Sequence, residues 1–139
     1  MPEPPPFSPT VMLLTVGRVW EAGFAEGLKP LGLTTRKYGL LGHIRATPGI
    51  SFSELARRSR ITVQSAHTAV AGFVDAGFVD DTTAHAGSAS TLRVTAAGEE
   101  LLARAAEVVT RLDAEFAPQY PELTEALRAV MTRMAAGGP

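Results

Sequence analysis

The chain contains no cysteine. Disulfides, thiolate metal ligands and thiol redox switches are excluded, and cysteine usage says nothing about compartment. No apolar run reaches the length of a membrane span. The first nine residues are proline-rich and acidic rather than basic, unlike a secretory signal. A soluble cytoplasmic protein with no membrane partner is the expectation. Formal net charge is only −1, so no overall basic surplus advertises a polyanion. His43, His67 and His85 are far apart and lack ligand spacing, so neither a metal nor another cofactor is expected. No nucleophile motif or glycine-rich phosphate loop stands out. Glu99-Glu100 and Asp80-Asp81 are adjacent pairs whose side chains diverge in a helix or strand, so they read as solvated charges. An enzyme is not expected.

What is present is 139 residues, enough for one compact unit. The charge is unevenly spread. Between Thr34 and Gly98 lie Arg36, Lys37, Arg45, Arg57, Arg58, Arg60 and Arg93, opposed by Glu54, Asp75, Asp80 and Asp81. Seven against four gives this middle a charge of +3 and leaves about −4 for the remainder. A basic middle between acidic ends is a modest footprint for a polyanion.

Residues 1–9 hold five prolines and read as an extended or disordered arm. From Thr10 to about Gly27, Val11, Leu14, Val16, Val19, Trp20 and Phe24 recur at helical spacing, softly interrupted by Gly17 and Gly23. Lys29-Pro30-Leu31-Gly32 breaks the chain. Thr34 or Thr35 can cap a second helix to about Ala46, weakened by Gly39 and Gly42. Ser51-Phe52-Ser53-Glu54 has the form of a capping box opening a short helix to Ser59: the serine oxygen meets the Glu54 N–H and the glutamate returns to the serine N–H. Thr62 caps a further helix to about Ala76, stopped by Gly77. Two short helices across a tight turn make a helix-turn-helix candidate. Phe78-Val79 and Thr91 to Val94 read as short strands around a small, polar loop, which completes a winged helix. Thr95 caps a long helix carrying Leu101, Leu102, Ala105, Val108, Val109, Leu112 and Phe116, ended by Ala117-Pro118. A last helix starts near Pro121-Glu122.

The helix after Thr62 has the marks of a DNA reader. Its apolar residues Val63, Ala66, Val70, Phe73 and Val74 cluster on one side. The other side presents Gln64, Ser65, Thr68 and Gly72, small or neutral groups that suit the major groove. Gln64 can pair bidentately with adenine. Ser65 and Thr68 can reach bases or phosphates, and Thr62 sits where helix N–H groups favour a phosphate. His67 falls at the flank of the apolar side, which would half-bury it. Arg57, Arg58 and Arg60, with Arg36 and Lys37 at the start of the second helix, suit phosphate contacts that set affinity rather than sequence choice. The bland alternative is a solvated helix face and ordinary solubilising cations.

Leu33-Thr34, Leu40-Leu41, Ser51-Phe52-Ser53-Glu54-Leu55-Ala56, Ala76-Gly77-Phe78-Val79 and Leu92-Arg93-Val94-Thr95-Ala96-Ala97-Gly98 follow one another in an order that resembles the MarR family of bacterial transcriptional regulators. The resemblance runs over about residues 33–112. It implies a mainly α fold with a small β-hairpin: a winged helix-turn-helix flanked by N- and C-terminal dimerisation helices. On that frame residues 1–9 are an arm, 10–32 an N-terminal dimerisation helix, 33–98 the DNA-binding region and 99–139 the C-terminal dimerisation helices. It implies a homodimer on a pseudo-palindromic duplex site, which two-fold symmetry also demands. It further implies a repressor that releases DNA on binding a small aromatic or phenolic ligand, in a cleft where Trp20, Phe24, Tyr38, His43 and Arg45 are the candidates. Trp20 and Phe24 are equally ordinary core residues.

The sequence departs from the family in the wing. An Asp-Arg-Arg run is usual there, whereas residues 85–90 carry no cation. Ser88, Ser90 and, on the returning strand, Arg93 are the wing groups left to meet DNA. Positions commonly basic in the family hold Thr68 and Gly72. The uncharged wing supports one alternative, a winged-helix protein-interaction module with weak or lost DNA binding. A second, the N-terminal dimerisation module of an enzyme such as a methyltransferase, is disfavoured because no nucleotide-binding domain follows.

Overall fold

The computed structural model describes residues 1–81 and 91–137. Six α-helices and one short β-hairpin are formed among the described residues. Helix α1 spans Pro9–Leu28 and is followed by a 3-10 turn, Lys29–Leu31. Helix α2 spans Thr35–Ala46, α3 Phe52–Ser59 and α4 Val63–Asp75. Strands β1 (Val79–Asp80) and β2 (Arg93–Val94) pair antiparallel, with Val79 opposite Val94 and Asp80 opposite Arg93. Helix α5 spans Ala96–Gln119 and α6 Pro121–Ala135. The strands are shorter than the apolar runs that mark them, because only two residues on each side find a ladder partner.

Helix starts follow side-chain chemistry. Ser8, Thr34, Ser51, Thr62 and Thr95 each lie just before a helix and accept a hydrogen bond from a backbone N–H three residues on. Ser8 caps α1 with Pro9 at its first position, so the helix begins one residue before the spacing of apolar residues suggests. Proline is well placed there, since its missing N–H would be unpaired anyway. The capping box at α3 forms only by half. Glu54 N–H donates to Ser51 Oγ at 3.1 Å, but the Glu54 carboxylate turns instead to arginines one turn on. Helix α5 does not end at Pro118 as the sequence suggests. It runs one residue further, closed by the Tyr120 N–H on Phe116 O and by Gln119 Nε2 on Glu115 O. A proline so near a helix end removes one hydrogen bond without a whole turn to disrupt.

The core joins α2, α3, α4, the hairpin and the start of α5. Leu28, Leu40, Leu41, Ile44, Leu55, Val79 and Leu92 are fully buried, with Ala66, Val70 and Phe73 from α4 beside them. No charged or polar residue is buried among the described residues. Helix α5 leaves this core to pack against α1 and then α6. The α1–α5 crossing is close at Gly27, where a Cβ would stand 2.5 Å from Val108 Cγ1. A second tight point ties hairpin to helix. Thr95 Oγ1 accepts from Gly98 N–H and donates to the carbonyl of Gly77 at 2.6 Å.

Away from the core, α1 and α6 carry apolar side chains that are largely exposed. Val11, Leu13, Leu14, Val19, Met131 and Met134 are all more than half exposed. Phe7, Met12, Leu13, Trp20, Leu123, Leu127 and Val130 line an open apolar cleft of about 490 Å³ between the two helices. Isolated monomers seldom expose contiguous apolar surface of this kind.

Candidate nucleic-acid interface

Helices α3 and α4 pack against each other across a turn at Arg60, Ile61 and Thr62. Ala66, Val70 and Phe73 anchor α4 inward. Val63 and Val74, expected on that buried side, are instead 43% and 38% exposed. Both lie at the ends of α4, where the neighbouring elements no longer cover the helix. The exposed start of α4 therefore carries Val63, Gln64, His67 and Thr68 together. Val63 thus adds an exposed apolar side chain to this surface, at a position that periodicity assigns to the buried side.

The polar groups of this surface are partly committed. Thr62 Oγ1 accepts from the Ser65 N–H at 3.0 Å and donates to Ser65 Oγ at 2.9 Å. Ser65 is half-buried by this arrangement, so the two hydroxyls hold the helix end more than they reach outward. Thr68 Oγ1 donates back to Gln64 O at 3.1 Å, which leaves its methyl and lone pairs for a partner. His67 is exposed rather than half-buried, although one face of its ring lies flat on Phe52 of α3, 3.9 Å between centroids and 16° between planes.

The three arginines before α4 differ. Arg57 is more open than Arg58, and both donate to the Glu54 carboxylate, each Nε at 2.9 Å. Arg58 also donates to Thr47 Oγ1 at 2.9 Å, which joins the end of α2 to α3. These hydrogen bonds, from Arg57 first and Arg58 second, hold the Glu54 carboxyl down at about 2. Arg60 takes the left-handed conformation, φ 54°, at the C-cap of α3. A glycine would adopt it at lower cost, yet the position keeps a cation in the turn directly before α4.

Arg36 and Lys37 are exposed in the first turn of α2. At 1.5 Å per residue they lie about 16 Å along the helix from Thr47, the end that meets α3. They do not join the Arg57–Arg60 group through any contact with it, and Thr35 beside them bonds Glu21 of α1 at 3.4 Å. Arg93 is exposed on β2 opposite Asp80. His85, Ser88 and Ser90 lie outside the described residues.

The five candidate ligand residues fall into separate places. Tyr38 and Arg45 line a cleft of about 400 Å³ between α2 and α5, with Gly42, Ala46, Glu99, Leu102 and Ala106. Trp20 and Phe24 line another of about 230 Å³ between α1 and α5. Phe24 touches the first cleft through an edge-to-face contact with Tyr38, 5.2 Å between centroids. Trp20 packs edge-on against Phe116 at 5.0 Å and faces Tyr120 at 6.3 Å. His43 is half-buried on α2 and lines neither cleft.

Comparison with known proteins agrees with this architecture. Residues 31–89 match the profile of the MarR family. The HTH-type transcriptional repressor Rv2887 of Mycobacterium tuberculosis is 34% identical over 122 residues, covering 84% of this chain and 88% of the relative. The HTH-type transcriptional repressor Mb2911 of Mycobacterium bovis matches to the same extent. The crystal structure of Rv2887 in complex with DNA superposes with a TM-score of 0.76 at 29% identity, over 91% of this chain and 98% of that one. Its complex with salicylic acid gives 0.72 at 31% identity, over the same shares. A MarR-family regulator from Rhodococcus sp. RHA1, 18% identical, shares the fold with a TM-score of 0.78, over 91% of this chain and 93% of that one.

Proposed function

The chain belongs to the MarR family of transcriptional regulators, and from that premise we propose that it is a homodimeric repressor that binds a pseudo-palindromic duplex and lets go when an aromatic acid binds. The observation that carries the reading is the exposed start of α4. Val63, Gln64 and Thr68 stand free of acidic neighbours on that helix, directly after a turn and helix end bearing Arg57, Arg58 and Arg60. Base-reading groups flanked by phosphate-gripping cations are what a major-groove helix requires. The solved relative in complex with DNA supports the same use of the fold.

The two-fold partner follows from the apolar faces of α1 and α6, which a second copy would cover. The ligand reading is supported by the salicylic acid complex of the relative and by the cleft at Arg45 and Tyr38. The relatives are regulators and not enzymes by their names, and we read this chain likewise, acting in the cytoplasm where its duplex would be. Titration against DNA from upstream of its own gene, at several salt concentrations, tests the reading. A symmetric footprint with a steep salt dependence is expected. No binding to any duplex would instead favour a winged helix that engages another protein.

A further inference from the structure

The cleft between α2 and α5 is built from one face of each helix. Tyr38, Gly42 and Arg45 recur at i, i+4 and i+7 on α2, and Glu99, Leu102 and Ala106 at i, i+3 and i+7 on α5. At one end Arg45 Nε donates to Glu99 Oε2 at 2.7 Å. Each charge suits its own helix, the cation in the last turn of α2 and the anion in the first turn of α5. Both side chains are about half exposed, at 60% and 48%, and exposed pairs of this kind are easily exchanged. The interior of the cleft is open. A Cβ on Gly42, in the middle of α2, would meet nothing within 4 Å. With no side chain at Gly42, the cleft floor is clear. The wall is apolar at Leu102 and Ala106 and aromatic at Tyr38, whose ring Phe24 holds edge-on.

The pair also spans two mechanical paths. Two residues after Arg45, Thr47 accepts from Arg58 of α3, and Gly49 N–H donates to Leu92 O beside β2. Four residues before Glu99, Thr95 donates to the carbonyl of Gly77 at the end of α4. The distance between Arg45 and Glu99 is thus linked at both ends to the helix-turn-helix.

We propose that the Arg45–Glu99 pair is a latch across this cleft, opened by an aromatic monocarboxylate that takes the Arg45 guanidinium from Glu99. The ligand carboxylate replaces Glu99 on Arg45, its ring lies over Gly42 against Tyr38 and Leu102, and Glu99 turns out to water. Glu99 is a built-in competitor of the ligand, and exchange of one carboxylate for another keeps the guanidinium paired throughout. This inference deepens the reading of a ligand-responsive regulator and rests on it.

Calorimetric titration of the full chain with salicylate and with neutral salicylamide tests it, using the natural sequence, Arg45→Met and Glu99→Gln. The natural chain is expected to prefer salicylate at least about tenfold, the scale of one charge-assisted contact. Arg45→Met should bring salicylate down to the level of salicylamide. Glu99→Gln should bind salicylate more tightly, by several-fold, while salicylamide changes little. Both positions are exposed, and thermal melting confirms that the variants fold. Equal salicylate binding by the natural chain and Arg45→Met, or weaker binding by Glu99→Gln, overturns the latch. A parallel DNA titration separates the two ideas. Salicylate that releases DNA equally from the natural chain and Arg45→Met sinks the latch alone. Salicylate that binds without altering DNA affinity sinks the ligand-responsive reading beneath it.

Discussion

The α-carbon of Gly98 lies against the carbonyl oxygen of Phe78, so close that any Cβ there would collide with that oxygen and with Val94 Cγ1. The contact seats the first turn of α5 on the hairpin. One of the colliding atoms is backbone, so the strain cannot be relieved by a rotamer change. Gly98→Ala should destabilise the fold by about 2 kcal/mol, within the usual range for overpacking. Thermal melting should show a loss of about 5–10 °C. An unchanged midpoint would mean that α5 can lift from the hairpin freely.

The proposed DNA surface should divide into two kinds of residue. Arg57→Ala should weaken binding to operator and to random duplex by a similar factor, and reduce the slope of log affinity against log salt by about one. Gln64→Ala should act differently. It should cost about 1–3 kcal/mol on the operator and almost nothing on random DNA. Fluorescence anisotropy on both duplexes, across a salt series, measures the two effects. Equal losses on both duplexes for Gln64→Ala would remove it from base reading.

Acid should loosen the α3 end of this surface. Hydrogen bonds from Arg57 and then Arg58 hold the Glu54 carboxyl at about 2, against an ordinary 4.5. A lowered carboxyl stabilises the fold fully above its unfolded value, and that contribution disappears as pH falls from about 4.5 towards 2. Glu54→Gln should therefore melt below the natural chain at neutral pH, with the gap closing across that window. A gap independent of pH would show that Glu54 acts there by shape rather than by charge.

The apolar faces of α1 and α6 should belong to the dimer. Leu13 is 59% exposed in the single chain, so Leu13→Glu should leave the subunit folded. A charge buried without a partner at an interface costs about 3 kcal/mol, or more than a hundredfold in dimer dissociation. Sedimentation should move from the dimer to the monomer at micromolar concentration. A natural chain that sediments as a monomer would end the assignment of this face.

Much of the architecture was legible from local rules. Thr34, Ser51, Thr62 and Thr95 marked helix starts because a hydroxyl at an N-cap acts within three residues. Side chains that choose among distant partners were not legible. Glu54 has the spacing for a capping box, yet two guanidiniums one turn away outcompete a single backbone N–H. Val63 and Val74 share the apolar side of α4 by periodicity, but periodicity does not say where the neighbouring elements stop. Tyr38 and Arg45 came together in one cleft while Trp20 fell in another, because separation along the sequence carries no information about which helices cross. The wing, where the departure from the family is greatest, lies largely outside the described residues.

Thr95 belongs at once to the start of α5 and, through Gly77, to the end of the reading helix. A shaft of 24 residues, about 36 Å long, is thereby tied to the helix proposed to enter the groove. In a two-fold assembly held by α1, α5 and α6, the two reading heads would then have a fixed gauge. Adding one base pair at the centre of the operator turns one half-site by about 34° relative to the other. With each head tied to its shaft at Thr95, that turn would have to be followed by the whole subunit, so operator spacing should be selected as well as operator sequence.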